Sequence, residues 1–417
     1  MALNRRNFMA SAGAAAAASM LPDVAAGAFA DPELKPITGR AVPIGVAERE
    51  ARIARAQQLM RRQGLSAILV EPGASLVYFT GVRWSRSERL TAAVIPASGR
   101  IAVFTPFFEE PSVRESLAVP ADLRTWNEHQ DPLALVGAWL KERKLGSGTI
   151  GVEETVRYFA VDGLQRALPQ ARIRSAAPVV RAIRMIKSPA EIALMQLASD
   201  VTIAAYRHTY RRIEKGMTPA EIGAIMNAAT TALGGRPEFA LVLLGEASAY
   251  PHGTGKPQAV REGEVVLMDC GCTVQGYQSD ISRTFVFGEP TKRQRQVWDH
   301  MHRGQQIAFE TAQVGVPAGR VDDAVRAYYT KLGYGPDYKL PGLSHRTGHG
   351  IGLEGHEPIN LVRGERTPLA SGMCFSDEPG IYIPGQFGIR LEDCIYMTER
   401  GPRWFSTPPP SLDRPFD

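Results

Sequence analysis

The sequence predicts an α/β chain of two unequal domains, the first α/β and the second a larger mixed α+β unit, with a short N-terminal segment of different character ahead of them. Three observations carry this. The 417 residues exceed one ordinary domain, short apolar strands alternate with amphipathic helices through the first part, and a helix-start signature at Ser188 follows a stretch that reads as a junction. With 44% hydrophobic and 22% charged residues the composition is globular, which excludes a disordered, collagen-like or small disulfide-stapled chain. Forty-eight Lys and Arg against forty-three Asp and Glu leave +5 with no long basic run, so nucleic acid is not an expected partner. No stretch reaches about 18 consecutive apolar residues, so no membrane-spanning helix is expected.

Residues 1–30 are set aside from the fold. Arg5-Arg6, an Ala-rich run through Ala18 and the small-x-small triplet Ala28-Phe29-Ala30 have the layout of an export signal. The paired arginines resemble a twin-arginine signal, which implies that an already folded protein is delivered to the periplasm or beyond. The four cysteines are expected as small buried thiols, not bridges. Cys270 and Cys272 sit two apart on one predicted strand, pointing to one face, a poor geometry for a disulfide.

The first domain is assigned to residues 31–183. Val46 to Gly64 reads as a helix with Ile53, Ala56, Leu59 and Met60 on one side. Ser66 to Val70 is a strand, Leu76 to Phe79 leads into the turn Thr80-Gly81, and Ala92–Pro96 with Ile101–Phe104 forms a hairpin around Ser98-Gly99. Thr149 to Val152 is a further strand. The second domain, residues 184–417, opens on Ser188-Pro189-Ala190-Glu191, a capping box starting a helix through Arg212. Further helices are expected at Thr218–Leu233, Thr291–Val314 and Ala318–Leu332, and the proline-rich tail from Pro408 is expected on the surface without regular structure.

Chemistry concentrates in two hairpins. Val265-Val266-Leu267-Met268-Asp269 runs into a turn and then a second β-prone run from Tyr277 to Phe287. A four-residue loop, Thr273 to Gly276, puts Cys272 opposite Tyr277 and Asp269 opposite Asp280, roughly 5 Å apart at Cβ. The segment around Cys374–Met397 repeats the device: a loop of Pro384-Gly385-Gln386 places Glu378 opposite Glu392. Facing carboxylates repel unless one is protonated or a cation lies between them. One such pair is compatible with ordinary solvated carboxylates, whereas two independent pairs point to metal. Between the hairpins, His345, His349 and His356 fall within twelve residues of a glycine-rich run. Four carboxylates and an imidazole form a hard donor set for Mn²⁺, Co²⁺, Fe²⁺ or Zn²⁺, and their formal charge balances two divalent ions.

The motifs Asp269-x-Gly271, Gly276-Tyr277-x-Ser279-Asp280-Ile281-Ser282-Arg283-Thr284, Gly348-His349-Gly350-Ile351-Gly352, Glu378-Pro379-Gly380-Ile381-Tyr382 and Arg390-x-Glu392-Asp393 resemble the metal-dependent creatinase/aminopeptidase P/prolidase family, the pita-bread metallopeptidases. The resemblance covers most of the chain outside residues 1–30. It implies a creatinase-like N-terminal α/β domain and a pita-bread catalytic domain. It also implies two divalent ions, Mn²⁺ foremost, held by Asp269, Asp280, His349, Glu378 and Glu392, with Asp280 and Glu392 bridging both. The implied activity is hydrolysis of Xaa-Pro bonds, in dipeptides or at peptide N-termini, through a metal-bridging hydroxide. Glu378 would shuttle the proton, His356 would steady the tetrahedral intermediate, His252 would contact substrate, His345 would contact substrate or support the site from behind, and Arg390 would organise Glu392 or a substrate terminus. Trp84 is a candidate to reach a neighbouring subunit's site, or else a structural aromatic. A homo-oligomer, most simply a dimer, follows from the resemblance alone. The alternatives are a metal-dependent hydrolase of a small non-peptide amide and an inactive exported peptide-binding protein.

Overall fold

Residues 34–416 are described in the computed structural model, so the Arg5-Arg6 segment read as an export signal lies outside the described residues. The N-terminal unit is built on a six-stranded sheet whose strands are β1 (Ala67–Val70), β2 (Ala92–Pro96), β3 (Ile101–Pro106), β4 (Ala121–Trp126), β5 (Thr149–Val152) and β6 (Arg172–Ser175). Their order is β4-β3-β2-β1-β5-β6. The expected hairpin is present, with Ala92 opposite Phe104 and Val94 opposite Ala102, while β4, β5 and β6 join in parallel. Helices α1 (Val46–Gln63), α2 (Ala74–Thr80), α3 (Glu110–Ser116), α4 (Pro132–Glu142), α5 (Tyr158–Ala167) and α6 (Ala177–Arg184) complete the unit. Successive strand residues serve two cores: Ile68, Val70 and Val103 pack with Met60 and Phe79, and Leu69 and Phe104 pack with Trp139 and Leu164. Burial on both faces explains why these strands read as unbroken apolar runs. Leu76 to Phe79 is the body of α2, ended by Gly81 in the left-handed conformation at φ 83°.

The second unit begins where Ser188 caps α7 (Pro189–Tyr210). The Ser188 hydroxyl accepts from the Glu191 N–H at 3.3 Å, and the Glu191 carboxylate accepts from the Ser188 N–H at 2.8 Å. Thr218 with Glu221 starts α8 (Pro219–Ala232) and Thr291 with Gln294 starts α9 (Lys292–Thr311) by the same reciprocal bonding; α10 (Gly319–Lys331) follows. The strands are β7 (Arg236–Leu244), β8 (Val265–Val274), β9 (Tyr277–Gln278), β10 (Ile281–Val286), β11 (Gly348–Gly350), β12 (Glu357–Leu361), β13 (Cys374–Asp377), β14 (Gly380–Ile383), β15 (Phe387–Arg390), β16 (Asp393–Thr398) and β17 (Gly401–Trp404). They form a β10-β8-β7 sheet with β9 beside β8, a β12-β11-β13-β16-β17 sheet, and the β14-β15 ribbon. The two larger sheets are stitched by one bridge, in which Ser282 and Glu392 exchange both backbone hydrogen bonds at 3.1 and 3.2 Å.

Two expectations change. The tail does not simply lie on the surface: Leu412 is buried in the core and Phe416 stacks on Tyr206 with ring centroids 5.5 Å apart. Leu412 and Phe416, both beyond the Pro408-Pro409-Pro410 run, find apolar contacts without needing regular structure. The first metal-side hairpin also turns more tightly than expected. Gln275 and Gly276, at φ 53° and 89°, make a two-residue turn, so Val274 pairs with Tyr277 and Thr273 with Gln278. Asp269 therefore faces Ser282 and not Asp280.

Candidate metal centre

That register error is two residues, and a strand's side chains alternate with period two, so the faces are unchanged. The pairs Thr273–Gln278 and Cys270–Ile281 leave Asp280 beside Gly271, diagonal to Asp269 on the same face. Gly271 has a steric reason. A Cβ there would be driven into the Ser279 carbonyl oxygen and the Phe239 ring. The second hairpin has the expected register: Ile383 faces Phe387, Gly380 faces Arg390, and Asp377 faces Asp393, which sets Glu378 against Glu392. The ladder is interrupted at Glu378-Pro379, where the Glu378 N–H turns to the Thr347 carbonyl at 2.9 Å and Pro379 has none to donate.

His349, on β11, closes the group. Its Nδ1–H donates to the Gly350 carbonyl at 3.1 Å, which leaves the Nε2 lone pair facing the carboxylates. Nε2 lies 3.3 Å from Glu378 Oε1, 3.7 Å from Asp280 Oδ2 and 3.8 Å from Glu392 Oε1. Ligand atoms of Asp280, His349 and Glu392 all lie within 4.8 Å of one another. Burial, then the charges of Asp269 and Glu378, push the Asp280 carboxyl well above its usual range. Burial, then Asp280, Glu378 and Asp269, do the same to Glu392, and burial lifts Glu378 to about 7. His349 is held well below its ordinary value by burial and then by His356. Asp269 Oδ1 and Glu392 Oε1 are buried without a hydrogen-bond donor. Carboxyls crowded enough to hold protons, acceptors with no donor and an imidazole kept neutral are what a divalent-cation site looks like in the absence of its ions. The residues fit the group.

Arg390 is wholly engaged: Nη2 donates to Asp269 Oδ2 at 2.6 Å, Nε to Ser282 Oγ at 2.9 Å, and Nη1 to the Pro251 carbonyl at 3.2 Å and the Tyr382 hydroxyl at 3.3 Å. Ser282 Oγ in turn donates to Glu392 Oε2 at 2.8 Å. The guanidinium thus organises Asp269 directly and Glu392 through Ser282. His345 donates from Nδ1 to the Arg346 carbonyl and accepts at Nε2 from the Tyr382 hydroxyl, both at 2.7 Å. Burial lowers its pKa to about 3. The His356 ring meets His349 edge-on, centroids 4.2 Å apart. His252 stands exposed in the turn after Pro251, and its charge is felt at both His345 and His356. Trp84 is half-buried against its own domain's core, lining a cavity of about 680 Å³ with Arg236, Glu238 and Gln278 of the second unit.

Ser282, Tyr382, Arg346 and Glu357 were not among the sequence candidates. The first two had a signal: 280 and 282, like 378, 380 and 382, share strand parity with metal-side carboxylates. Arg346 is half-buried, its guanidinium has no hydrogen bond or ion pair among the described residues, and its charge lowers the proton affinity of Glu378, His349 and His356. Behind the site, Arg283 donates to both oxygens of Asp393 at 2.7 and 3.1 Å and to the Glu392 carbonyl at 3.1 Å, pinning the strand crossing. Asp377, across the ladder from Asp393, is fully buried with neither oxygen bonded; burial, then Asp393 and Glu378, push its carboxyl well up.

The sequence matches Metallopeptidase family M24 over residues 193–399 and the Creatinase/Prolidase N-terminal domain over residues 52–186. The probable dipeptidase PepE of Mycobacterium bovis is 35% identical over 355 residues, 84% of this chain and 92% of that one. The Xaa-Pro dipeptidase of Lactobacillus helveticus is 30% identical over 357 residues, 84% of this chain and 95% of that one. The crystal structure of the dipeptidase PepE from Mycobacterium ulcerans superposes with a TM-score of 0.82 at 32% identity, covering 89% of this chain and 99% of that one. With its two sheets closing on a carboxylate-rich cation site and an α/β unit ahead of them, the chain belongs to the M24 metallopeptidases, with a creatinase-type N-terminal domain and a pita-bread catalytic domain.

Proposed function

We propose that the protein is a two-metal hydrolase of Xaa-Pro bonds that favours dipeptides. The observation that carries the hydrolase is the convergence of four carboxylates and the His349 Nε2 lone pair on one buried, proton-holding point. Asp269, Asp280, His349, Glu378 and Glu392 would hold two divalent ions, Mn²⁺ foremost because most donors are hard oxygens. Such ions supply a Lewis acid for the scissile carbonyl and lower the pKa of water. The chain's own groups do the rest. Glu378 takes a proton from the attacking water and returns it to the leaving nitrogen. His356, at the rim beside His349, donates to the carbonyl oxygen as charge develops there. His345 and His252 line the approach, and Arg390 keeps Asp269 and Glu392 in place.

Dipeptide preference is supported by Arg346 and by the dipeptidase relatives. A half-buried guanidinium without a partner among the described residues, placed where its charge reaches Glu378 and His356, suits the free carboxylate of a two-residue substrate. Hydrolysis of Ala-Pro, Ala-Pro-Ala and Ala-Ala-Ala with and without Mn²⁺ tests the reading. Metal-dependent cleavage of Ala-Pro, faster than of Ala-Pro-Ala, is expected. Equal cleavage of all three would remove the proline and dipeptide assignments, and no cleavage by metal-loaded protein would point to a non-peptide amide. We further propose a dimer, checked by light scattering, and delivery to the periplasm or beyond by the Arg5-Arg6 segment.

A further inference from the structure

His356 makes no hydrogen bond through its ring among the described residues, and it is exposed. Apart from its edge-on contact with His349, its position is therefore set by the backbone that carries it, from Gly350 to Glu357. The Ile351 N–H donates to the Cys374 carbonyl at 3.2 Å and the Gly352 carbonyl accepts from the Gln278 N–H at 2.9 Å, and the turn that follows is clamped by one carboxylate. Glu357 Oε2 accepts from the Lys187 ammonium at 2.9 Å, and Oε1 accepts from Arg184 Nη2 at 2.5 Å and from the N–H groups of Leu353 at 3.0 Å and Glu354 at 3.3 Å. Arg184 also reaches Glu354 Oε2 at 2.7 Å and, through Nη1, Ser75 Oγ of α2 at 3.0 Å. Lys187 and Glu357 are nearly out of solvent, at 5% and 4% exposure, so neither charge is satisfied by water. Lys187 is itself tied down by its N–H, which donates to the Gly372 carbonyl at 2.8 Å. The packing leaves no room at Gly352, where a Cβ would meet Lys187 Cε at 2.8 Å and Glu357 Oε1 at 2.9 Å.

We propose that Glu357, held by Lys187 and Arg184, is a positioning residue for His356, so that the junction between the two domains sets turnover without touching metal or substrate. The proposal rests on the reading of His356 given under Proposed function. Glu357 stays ionised throughout the working range, since the two cations hold its carboxyl down at about 2 against the upward push of burial. The clamp is thus a fixed strut and not a pH switch.

The test compares Mn²⁺-loaded wild type, Glu357→Gln, His356→Ala and the double variant. Glu357→Gln should keep two ions per chain and lower kcat about tenfold or more with KM within about threefold. In the His356→Ala background the same substitution should cost less than about twofold, because its target is already gone. Independent, multiplying losses would overturn the proposal, as would a Glu357→Gln enzyme with wild-type kcat. Hydrogen exchange over residues 350–356, faster in Glu357→Gln than in wild type, is the readout that needs no substrate; unchanged exchange would also overturn it. If wild type cleaves no proline dipeptide, the reading of the reaction fails while the exchange result still decides the clamp. Should Glu357→Gln not fold, Arg184→Gln, which leaves the Lys187 contact in place, is expected to show the same pattern at smaller amplitude, and a wild-type pattern there would overturn the clamp.

Discussion

At the metal-side carboxyls the protein holds protons where the loaded enzyme would hold cations, and this has a consequence for stability that can be worked out in sign. In the metal-free protein Asp280 and Glu392 are pushed well above the carboxylate range and Glu378 lies at about 7, whereas in an unfolded chain such groups release their protons near pH 4. Below pH 6.5 the buried histidines oppose the effect, because His345 and His349 stay neutral in the fold but would charge in the unfolded chain. Between pH 6.5 and 8 those histidines go from half-charged to neutral in the unfolded chain as well, so their opposition fades, the folded protein carries the extra protons, and stability falls as pH rises through Glu378's pKa toward those of Asp280 and Glu392. Melting in chelator should therefore give a lower Tm at pH 8 than at pH 6.5, with Mn²⁺ restoring most of the loss at pH 8; a chelated protein whose Tm rises over that interval would contradict the site as drawn. Asp280→Asn and Glu392→Gln should each fold, bind less metal and lose about a thousandfold or more in kcat/KM, since each removes one of the four anionic donors; near-normal turnover with full metal content would remove the ligand assignment. Arg346→Ser should raise KM for Ala-Pro about tenfold and leave Ala-Pro-Ala much less affected, and equal losses on both would deny it the carboxylate role.

The two hairpins show what a strand pattern reveals and what it conceals. The second was legible to the residue, because Pro384-Gly385-Gln386 is flanked by unambiguous β-prone runs and its ladder continues without slippage from Ile383–Phe387 to Cys374–Tyr396. The first was misread at its turn: Gln275 takes a left-handed φ of 53°, a conformation its side chain does not advertise. The site survived that mistake because parity, not register, decides which face a carboxylate joins. The capping box at Ser188 was equally visible, yet its second task was not: Glu191 also accepts the Tyr277 hydroxyl at 2.8 Å and pairs with Arg52 of α1 at 3.1 Å, contacts that need the tertiary fold. Nor could sequence show that Gly271 is required by the approach of Ser279 and Phe239 and not by its own φ. Gly271→Ala should force the Ser279–Asp280 segment outward, so metal affinity should fall at least tenfold and activity about a hundredfold. Gly276→Ala, at φ 89° with no tighter contact than Leu353 Cδ2 at 3.6 Å, should cost about 1 kcal/mol of stability and leave metal affinity unchanged. Metal titration and thermal melts of the two variants side by side separate these outcomes.

Across the whole molecule, the metal-side donors are drawn from residues 269 to 392, on two sheets joined at Ser282 and Glu392, while the junction clusters at Glu191 and Glu357 are completed by Arg52 and Arg184 of the first unit. No short segment of the chain contains the site, so it forms only once the two sheets of the second unit have closed on each other, and the junction clusters only once the first unit has docked. Cys270, Cys272, Cys374 and Cys394 are all free and buried, with burial raising each pKa, Cys374 to about 12. None should react with a thiol reagent at pH 8 in the native protein, and four per chain should react in denaturant; two or fewer would mean bridges formed after export. A protein of this kind, sent out of the cytoplasm, has to travel folded if its metal is to be chosen before it leaves. The Arg5-Arg6 segment is proposed to provide that route. Changing both arginines to lysine should leave an active, metal-loaded protein accumulating in the cytoplasm, whereas wild type is recovered from the periplasmic fraction or the medium. Cell fractionation with an Ala-Pro assay on each fraction decides it, and an unchanged distribution in the double-lysine variant would assign the first thirty residues some other role.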